Sequence, residues 1–328
     1  MKPSSNEPIP FPSTFTVEED EHLRILVVGA GAVGGYFGGR LAQAGRDVTF
    51  LVHARRAEEI RASGLQIVSA HGDVTIQPKL ITASDLGSPY DIVFLSVKSY
   101  ALTRAISDFA PAVGPTTVIL PVLNGMRHMD FLEERFGKQA LLGGVCLVAT
   151  QLDANGRIVQ LADFQSLAYG ELDGQRTPRL QDVDQAVRGA GFDTSVSFHI
   201  VHDMWTKWVQ LASLGAITCL LRGNIGEIVS VPGGADLSLA VLRECAAVAA
   251  ACGYPPSPKF LEEKEAEFTA AGSSLTSSMY RDLVRNAPVE VDSILGDLLA
   301  RGRKLEISTP ILQAAFVNLS IYQRARKY

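Results

Sequence analysis

The chain has 328 residues, of which 47% are hydrophobic and 20% are charged, and its formal net charge at pH 7 is −5. At roughly 150 residues per domain this length predicts two domains, and the composition is that of a globular protein rather than a disordered one. The acidic balance argues against general nucleic-acid binding, which usually needs an excess of basic residues.

The cysteines and the longest apolar runs bear on where the protein works. None of the cysteines belongs to a CxxC pair, and all four lie in apolar surroundings: Cys146, Cys219, Cys245 and Cys252. We interpret them as small core residues of a cytoplasmic protein, with no disulfide or zinc framework. The longest uncharged runs fall short of the ~18 residues of a membrane span. Residues 1–22 lack the apolar core of a signal peptide, and we expect a disordered or loosely packed tail there.

From residue 23 the sequence alternates short apolar runs with helical stretches. Near-continuous apolar runs, typical of parallel strands buried on both faces, occur at residues 24–28, 47–52, 91–97 and 117–122. Helices that could connect them fit residues 33–44, 57–63 and 100–110. The alternation predicts an α/β fold with a doubly wound Rossmann-type sheet. Residues 65–68 and 74–76 indicate a hairpin, and three more strand-like segments follow between residues 141 and 170.

The character of the sequence changes near residues 195–199. Helical patterns then dominate, at residues 201–221, 236–252, 259–270, 277–286, 291–301 and 310–322. We therefore predict an α/β domain over residues 23–197 and an all-helical domain over residues 198–328.

A glycine-rich motif follows the first predicted strand and opens the first predicted helix. Its residues are Gly29, Ala30, Gly31, Ala32, Val33 and Gly34. In this context GxGxxG predicts a dinucleotide site, because the glycines permit a tight turn, a close approach to the pyrophosphate and close helix packing. The helix N-terminus would then offer N–H groups to the phosphates.

The residues after the second strand distinguish between cofactors. An NAD enzyme usually places a carboxylate there to hold the ribose hydroxyls. This chain has Arg55 and Arg56 instead, with no acid before Glu58. A guanidinium pairs well with the 2′-phosphate of NADP, so the sequence favours NADP(H) and disfavours both NAD and S-adenosylmethionine.

Polar residues also follow the next two strands of the sheet. Lys98 ends the third predicted strand and Asn124 follows the fourth, so both should face the ligand crevice at the carboxyl edge of the sheet. In the helical half, Lys207 lies between two tryptophans on a helix that has no further charge until Arg222.

With these residues the sequence resembles the ketopantoate reductase (2-dehydropantoate 2-reductase) family. The resemblance runs from about residue 23 to the last helix. It rests on the glycine loop, Lys98 and several short motifs in a fixed order: Asn124-Gly125-Met126, Trp205-x-Lys207, Ser277-Ser278-Met279 and Glu290-Val291-Asp292. The resemblance implies NADPH-dependent reduction of 2-dehydropantoate to pantoate, on the way to pantothenate.

The resemblance also implies roles for individual residues. Lys207 matches the catalytic lysine, which would protonate the developing alkoxide, and Glu290 matches an acid that orients this machinery. Asn124 matches an amide between cofactor and substrate, and Ser278 a substrate-binding serine. Lys98 matches a lysine on the nicotinamide side. The glycine loop and Arg55, with Arg56 as the less favoured alternative, match the cofactor site.

One departure from the family pattern concerns the substrate. Relatives carry asparagines four and eight residues after the lysine, where this chain has Leu211 and Gly215. Either Gln210 compensates or the enzyme takes a less polar 2-oxo acid. The remaining alternatives are a reductase of another 2-oxo or 3-hydroxy acid and a non-catalytic NADP-binding sensor.

Other partners are only weakly indicated by the sequence. The sequence leaves the oligomeric state open, a homodimer included. His199 and His202 lie three residues apart, next to Asp203, but a third metal ligand at helical spacing is missing from the sequence. We therefore predict no metal site.

Overall fold

The computed structural model describes residues 23–326, so the tail expected over residues 1–22 lies outside the described residues. The strands, in chain order, are β1 (Ile25–Val28), β2 (Val48–Leu51), β3 (Leu65–Val68), β4 (Val74–Ile76), β5 (Lys79–Ile81), β6 (Ile92–Leu95), β7 (Val118–Pro121), β8 (Gly143–Leu152), β9 (Ile158–Gly170) and β10 (Asp193–Val196). The α-helices are α1 (Ala32–Gln43), α2 (Ala54–Ser63), α3 (Leu102–Phe109), α4 (Arg127–Phe136), α5 (Pro178–Val187), α6 (Ile200–Leu221), α7 (Ile225–Val229), α8 (Gly234–Ala251), α9 (Pro258–Phe268), α10 (Ser278–Val284), α11 (Asp297–Lys304) and α12 (Pro310–Ala325).

A five-stranded parallel sheet in the order β5-β2-β1-β6-β7 organises the first half of the chain. In the central strand, Ile25 pairs with Val48 on one side and with Ile92 on the other. Every residue of β1, β2, β6 and β7 is buried, which explains their continuous apolar sequences. The predicted Rossmann-type sheet is confirmed. The edge strand β5 escaped prediction because its three partly exposed residues are too few to form a pattern.

A second sheet has the order β10-β9-β3-β4, with β8 paired to β9. The predicted hairpin is confirmed, since β3 and β4 pair antiparallel. The prediction of three strands between residues 141 and 170 is wrong, because β8 and β9 form one long antiparallel pair. A register shift between Val148 and Thr150 interrupts the alternation along β8 and so imitates a strand end. The turn between β8 and β9 contains Gly156, which has a φ of +77°.

The second half of the chain is helical, as predicted. The 22-residue helix α6 is its centre and packs against α8, α10 and α12. The segment predicted as a single helix over residues 291–301 begins with a π-helical turn, Asp292–Gly296, before α11. The five-residue helix α7 is too short to show a helical period, and it was not predicted.

Helix α6 lies against β8, and one hydrophobic cluster runs across this contact. It includes Leu123 and Val145 from the first half and Met204 and Trp208 from α6. The indole Nε1 of Trp208 also donates a hydrogen bond to the carbonyl oxygen of Ile294, at 2.9 Å. This packing holds one face of α6 against the residues that follow the parallel strands. The predicted domain boundary near residue 197 lies between β10 and α6.

The cysteines behave as core residues. All four carry free thiols, and three of them are buried. Burial raises the pKa of the Cys219 and Cys245 thiols to about 12, so both stay protonated at neutral pH. Across residues 23–326, no helix combines the length and apolar character needed to cross a membrane.

Candidate active site

The glycine loop between β1 and α1 needs glycine at both of its ends. Gly29 has a φ of +96°, a conformation that other residues rarely adopt. A Cβ on Gly34 would lie 2.2 Å from the carbonyl oxygen of Gly29, so any side chain there would push the helix away from the loop. These two positions keep the N-terminus of α1 close to the end of β1.

The N-terminus of α1 is open to a ligand. Gly31 precedes the helix, and no side chain caps its first N–H groups. A Cβ built on Gly31 would meet no atom within 4 Å, so space lies directly above the loop. Ala32 and Val33 form the first turn, which contains no acidic residue that would repel an anion. Uncapped N–H groups beneath open space fit the pyrophosphate of a dinucleotide.

The two arginines after β2 have different surroundings. Arg55 is 91% exposed at its side chain and lies 3.5 Å from the carboxylate of Glu59. Arg56 donates to the carbonyl oxygens of Ala30, at 3.3 Å, and Gly156, at 3.0 Å. Arg56 thus connects the glycine loop to the turn between β8 and β9, while Arg55 projects into solvent at the carboxyl edge of the sheet.

Lys98 and Glu290 come together across the two halves of the chain. The Lys98 ammonium lies 3.1 Å from the carboxylates of both Glu290 and Asp282. The second oxygen of Glu290 accepts a hydrogen bond from the backbone N–H of Ser99, at 2.9 Å. Burial lowers the pKa of Lys98, but the two carboxylates outweigh it and raise that pKa above its usual value. Lys98 therefore stays charged at neutral pH.

Lys207 stands apart from that ion-pair cluster. It is half-buried on α6, and its Nζ lies 3.9 Å from the Cys146 sulfur on β8. Lys207 lines a small cavity of about 10 Å³, whose lining also includes Leu123, Gly125 and Leu211. Such a space holds about one water molecule. Glu290 thus pairs with Lys98 and not with Lys207.

Asn124 lies in the turn between β7 and α4, and Ser278 is the first residue of α10. Asn124 is partly exposed and directly precedes Gly125, which has a φ of +80°. A Cβ on Gly125 would lie 2.6 Å from the Ser293 carbonyl oxygen, so the turn after Asn124 fits against the π-helical turn. Ser278 is half-buried at the start of α10. Its neighbour Ser277 caps that helix by accepting a hydrogen bond from the Tyr280 N–H, at 2.9 Å.

Two residues near Lys207 were not singled out from the sequence as site residues. Cys146 was interpreted only as a core residue, and nothing in its sequence context indicates the contact with Lys207. His128 on α4 is buried, and neither ring nitrogen has a hydrogen-bond partner among the described residues. Burial, together with the charge of Lys207, lowers the pKa of His128 to about 3, so this imidazole is neutral. A histidine three residues after an Asn-Gly pair gives no sequence signal of burial.

The histidines considered for metal binding, His199 and His202, lie at the start of α6. The backbone N–H of His199 donates to the Ser197 hydroxyl, which itself donates to the Asp203 carboxylate. Within the described part of the chain, no cluster of three or more His, Cys, Asp or Glu side chains could hold a metal ion.

Comparison with known proteins places this arrangement in a family. The ketopantoate reductase PanE/ApbA model matches residues 25–174, and the ketopantoate reductase PanE/ApbA C-terminal model matches residues 199–323. The uncharacterized oxidoreductase YkpB of Bacillus subtilis (strain 168) is 36% identical over 301 residues, which is 92% of this chain and 99% of that protein.

Solved structures agree with the family models. A 2-dehydropantoate 2-reductase from Geobacter metallireducens GS-15 superimposes with a TM-score of 0.82 at 27% identity, covering 91% of this chain and 99% of that one. A ternary structure of D-mandelate dehydrogenase with NADH and anilino(oxo)acetate shares the fold, with a TM-score of 0.84 at 21% identity, over 93% of this chain and 100% of that one. The chain therefore belongs to the ketopantoate reductase PanE/ApbA family of oxidoreductases.

Proposed function

We propose that this protein reduces a 2-oxo acid to a 2-hydroxy acid with NADPH, and that Lys207 is the proton donor. The observation that carries the proposal is the position of Lys207. Lys207 is half-buried and lines a cavity together with Gly125, and among the described residues its Nζ has a thiol as near neighbour instead of a carboxylate. An ammonium without an ion pair among residues 23–326 is suited to interact with an incoming carbonyl oxygen.

The chemistry assigned to Lys207 follows from the charge that forms in the reaction. A nicotinamide cofactor held by the glycine loop would supply a hydride for the carbonyl carbon, and the carbonyl oxygen would then develop negative charge. The N–H bond of the Lys207 ammonium breaks as the new O–H bond forms, so the new hydroxyl group of the product is uncharged. Because this charge exists only in the transition state, a donor fixed at that point lowers the barrier more than it strengthens binding.

The cofactor part of the proposal rests on the glycine loop and on Arg55. The open N-terminus of α1 would hold the pyrophosphate, and the exposed Arg55 guanidinium would pair with the 2′-phosphate. The fold relative D-mandelate dehydrogenase was solved with NADH. We assign NADPH to this chain because arginines stand at the end of its second strand, where an NAD enzyme usually has an acid.

The other site residues are assigned supporting roles. Asn124 would contact both cofactor and substrate, and Ser278 would bind the substrate carboxylate or hydroxyl. Lys98 would lie on the nicotinamide side of the site, and Glu290 would hold it there through the ion pair. The Geobacter relative is a 2-dehydropantoate 2-reductase, so 2-dehydropantoate and a place in pantothenate biosynthesis are the first substrate and pathway to test.

Absorbance of the reduced cofactor tests this function. The full chain is mixed with NADPH or NADH and a panel of 2-oxo acids that includes 2-dehydropantoate and an aryl 2-oxo acid. The expected result is oxidation of NADPH by at least one acid, with NADH less effective. Tight NADPH binding without turnover on any acid would instead identify a sensor, and preference for NADH would overturn the cofactor assignment.

A further inference from the structure

We infer that the substrate is a 2-oxo acid whose side chain is apolar and carries no hydroxyl group, and that Leu211 sets this preference. The inference rests on the proposed function, because it takes Lys207 as the group that meets the carbonyl oxygen. It concerns the surface that the rest of the substrate would contact.

The first observation is the face of α6 beyond Lys207. In a helix, residues four and eight positions on share a face with the starting residue. Here those residues are Leu211, which lines the same cavity as Lys207, and Gly215, which has no side chain. Positions four and eight therefore offer no hydrogen-bonding side chain, and Gln210, three residues after Lys207, is not among the residues that line the cavity.

The second observation is the residue that covers Gly215. A Cβ on Gly215 would lie 2.7 Å from the terminal methyl group of Met279, so the Met279 side chain occupies the place that a larger residue would take. A thioether chain is apolar and adapts its shape to its neighbours. Further along α6, the Thr218 hydroxyl is already engaged with the Leu214 carbonyl oxygen and Ser277.

The third observation is the wall opposite α6. The cavity beside Lys207 is closed by Leu123 and Val145, with Gly125 and Gly144 contributing only backbone. Its volume of about 10 Å³ is far below that of a substrate, so these side chains must move apart to admit one. A substrate hydroxyl placed among them would lose its hydrogen bonds to water and gain none from the side chains of Leu123, Val145 and Leu211.

Two acids that differ in one atom test the inference. 2-Dehydropantoate and 3,3-dimethyl-2-oxobutanoate have the same carbon skeleton, and only the first carries a hydroxyl group at C4. We expect the enzyme to have a kcat/KM at least ~10-fold higher for the unhydroxylated acid, within the range that an apolar pocket imposes on an added hydroxyl. A ratio near one, or one that favours 2-dehydropantoate, overturns the inference while leaving the proposed reductase function intact. Oxidation of NADPH by no acid of the panel overturns both.

The variant Leu211→Asn tests whether this residue sets the preference. It should shift the ratio of the two kcat/KM values at least ~10-fold toward 2-dehydropantoate, since an amide would then face the hydroxyl. The ratio is independent of how much of each sample is folded, because both acids meet the same enzyme. Leu221→Asn, the same change at the exposed end of α6, is the matched control and should keep the wild-type ratio. An unchanged ratio in Leu211→Asn overturns the assignment of the preference to Leu211. A preference of the wild type for 2-dehydropantoate that is lost in Gln210→Leu overturns it as well.

Discussion

The carboxylate of Glu290 lies 3.1 Å from the ammonium of Lys98, and it joins the helical half of the chain to the segment that follows β6. Glu290 is almost fully buried, whereas Lys98 is partly exposed, and the Ser99 N–H completes the contact. The Ser99 and Ser293 hydroxyl groups form a further hydrogen bond beside it, at 2.7 Å. This cluster connects the segment after β6 with the start of the π-helical turn.

Removing Glu290 should therefore weaken the fold as well as the site. We expect Glu290→Ala to lower the free energy of unfolding by ~1–3 kcal/mol, because the Ser99 N–H would lose its partner in a partly buried place. Urea unfolding measures this. Glu263→Ala removes the acid of an exposed pair with Lys259 and should change stability by less than ~0.5 kcal/mol. Equal stabilities for the two variants would show that the Glu290 contact contributes nothing.

His128 should make stability depend on pH. Its pKa is about 3 in the folded chain and ~6.5 in the unfolded chain. Between these values the unfolded chain binds the proton and the folded chain does not, so stability falls with falling pH by about 1.4 kcal/mol per pH unit.

The variant His128→Leu should remove this contribution. Urea unfolding at about pH 7 and about pH 5 would show a smaller loss of stability in His128→Leu than in the wild type. His53→Leu removes an exposed imidazole and should keep the wild-type pH dependence. Identical slopes in wild type and His128→Leu would mean that His128 accepts a proton in the folded chain.

The two arginines after β2 should affect cofactor binding differently. Arg55→Glu should raise the Kd for NADPH by ~10–100-fold, the worth of a charge-assisted pair with phosphate, and should leave the Kd for NADH nearly unchanged. Arg56→Ala should weaken both cofactors, because it removes the hydrogen bonds to Ala30 and Gly156 that support the loop. Fluorescence titration gives these values, with Arg61→Glu on the same helix as control. If Arg56→Ala, and not Arg55→Glu, selectively weakens NADPH binding, the 2′-phosphate must be assigned to Arg56 instead of Arg55.

Local signals in the sequence were sufficient for much of the fold. The inner strands of the parallel sheet could be predicted because strands buried on both faces are continuous apolar runs. The glycine loop could be predicted because Gly29 and Gly34 have local steric reasons to be glycine. Lys207 stood out because no further charged residue follows it before Arg222. The β8–β9 pair was misjudged because a register shift breaks its alternation.

The pairings within the site depend on tertiary contacts that local patterns do not carry. Glu290 lies 192 residues from Lys98 in the chain, and only the packing of the helices on the sheet brings the two together. The burial of His128 and the contact between Cys146 and Lys207 arise in the same way. The resemblance to the family identified the polar residues, but it associated Glu290 with Lys207, whereas the ion pair of Glu290 is with Lys98.

The central claim is that Lys207 donates the proton, and replacing it tests that claim most directly. Lys207→Ala should bind NADPH as tightly as the wild type in a fluorescence titration, yet reduce its best 2-oxo acid ~10²–10⁴-fold more slowly, the usual cost of losing a general acid. Lys259→Ala removes an exposed lysine of the same helical half and should keep full activity. A kcat in Lys207→Ala within a few-fold of the wild type would contradict the mechanism and make Lys98 the next candidate.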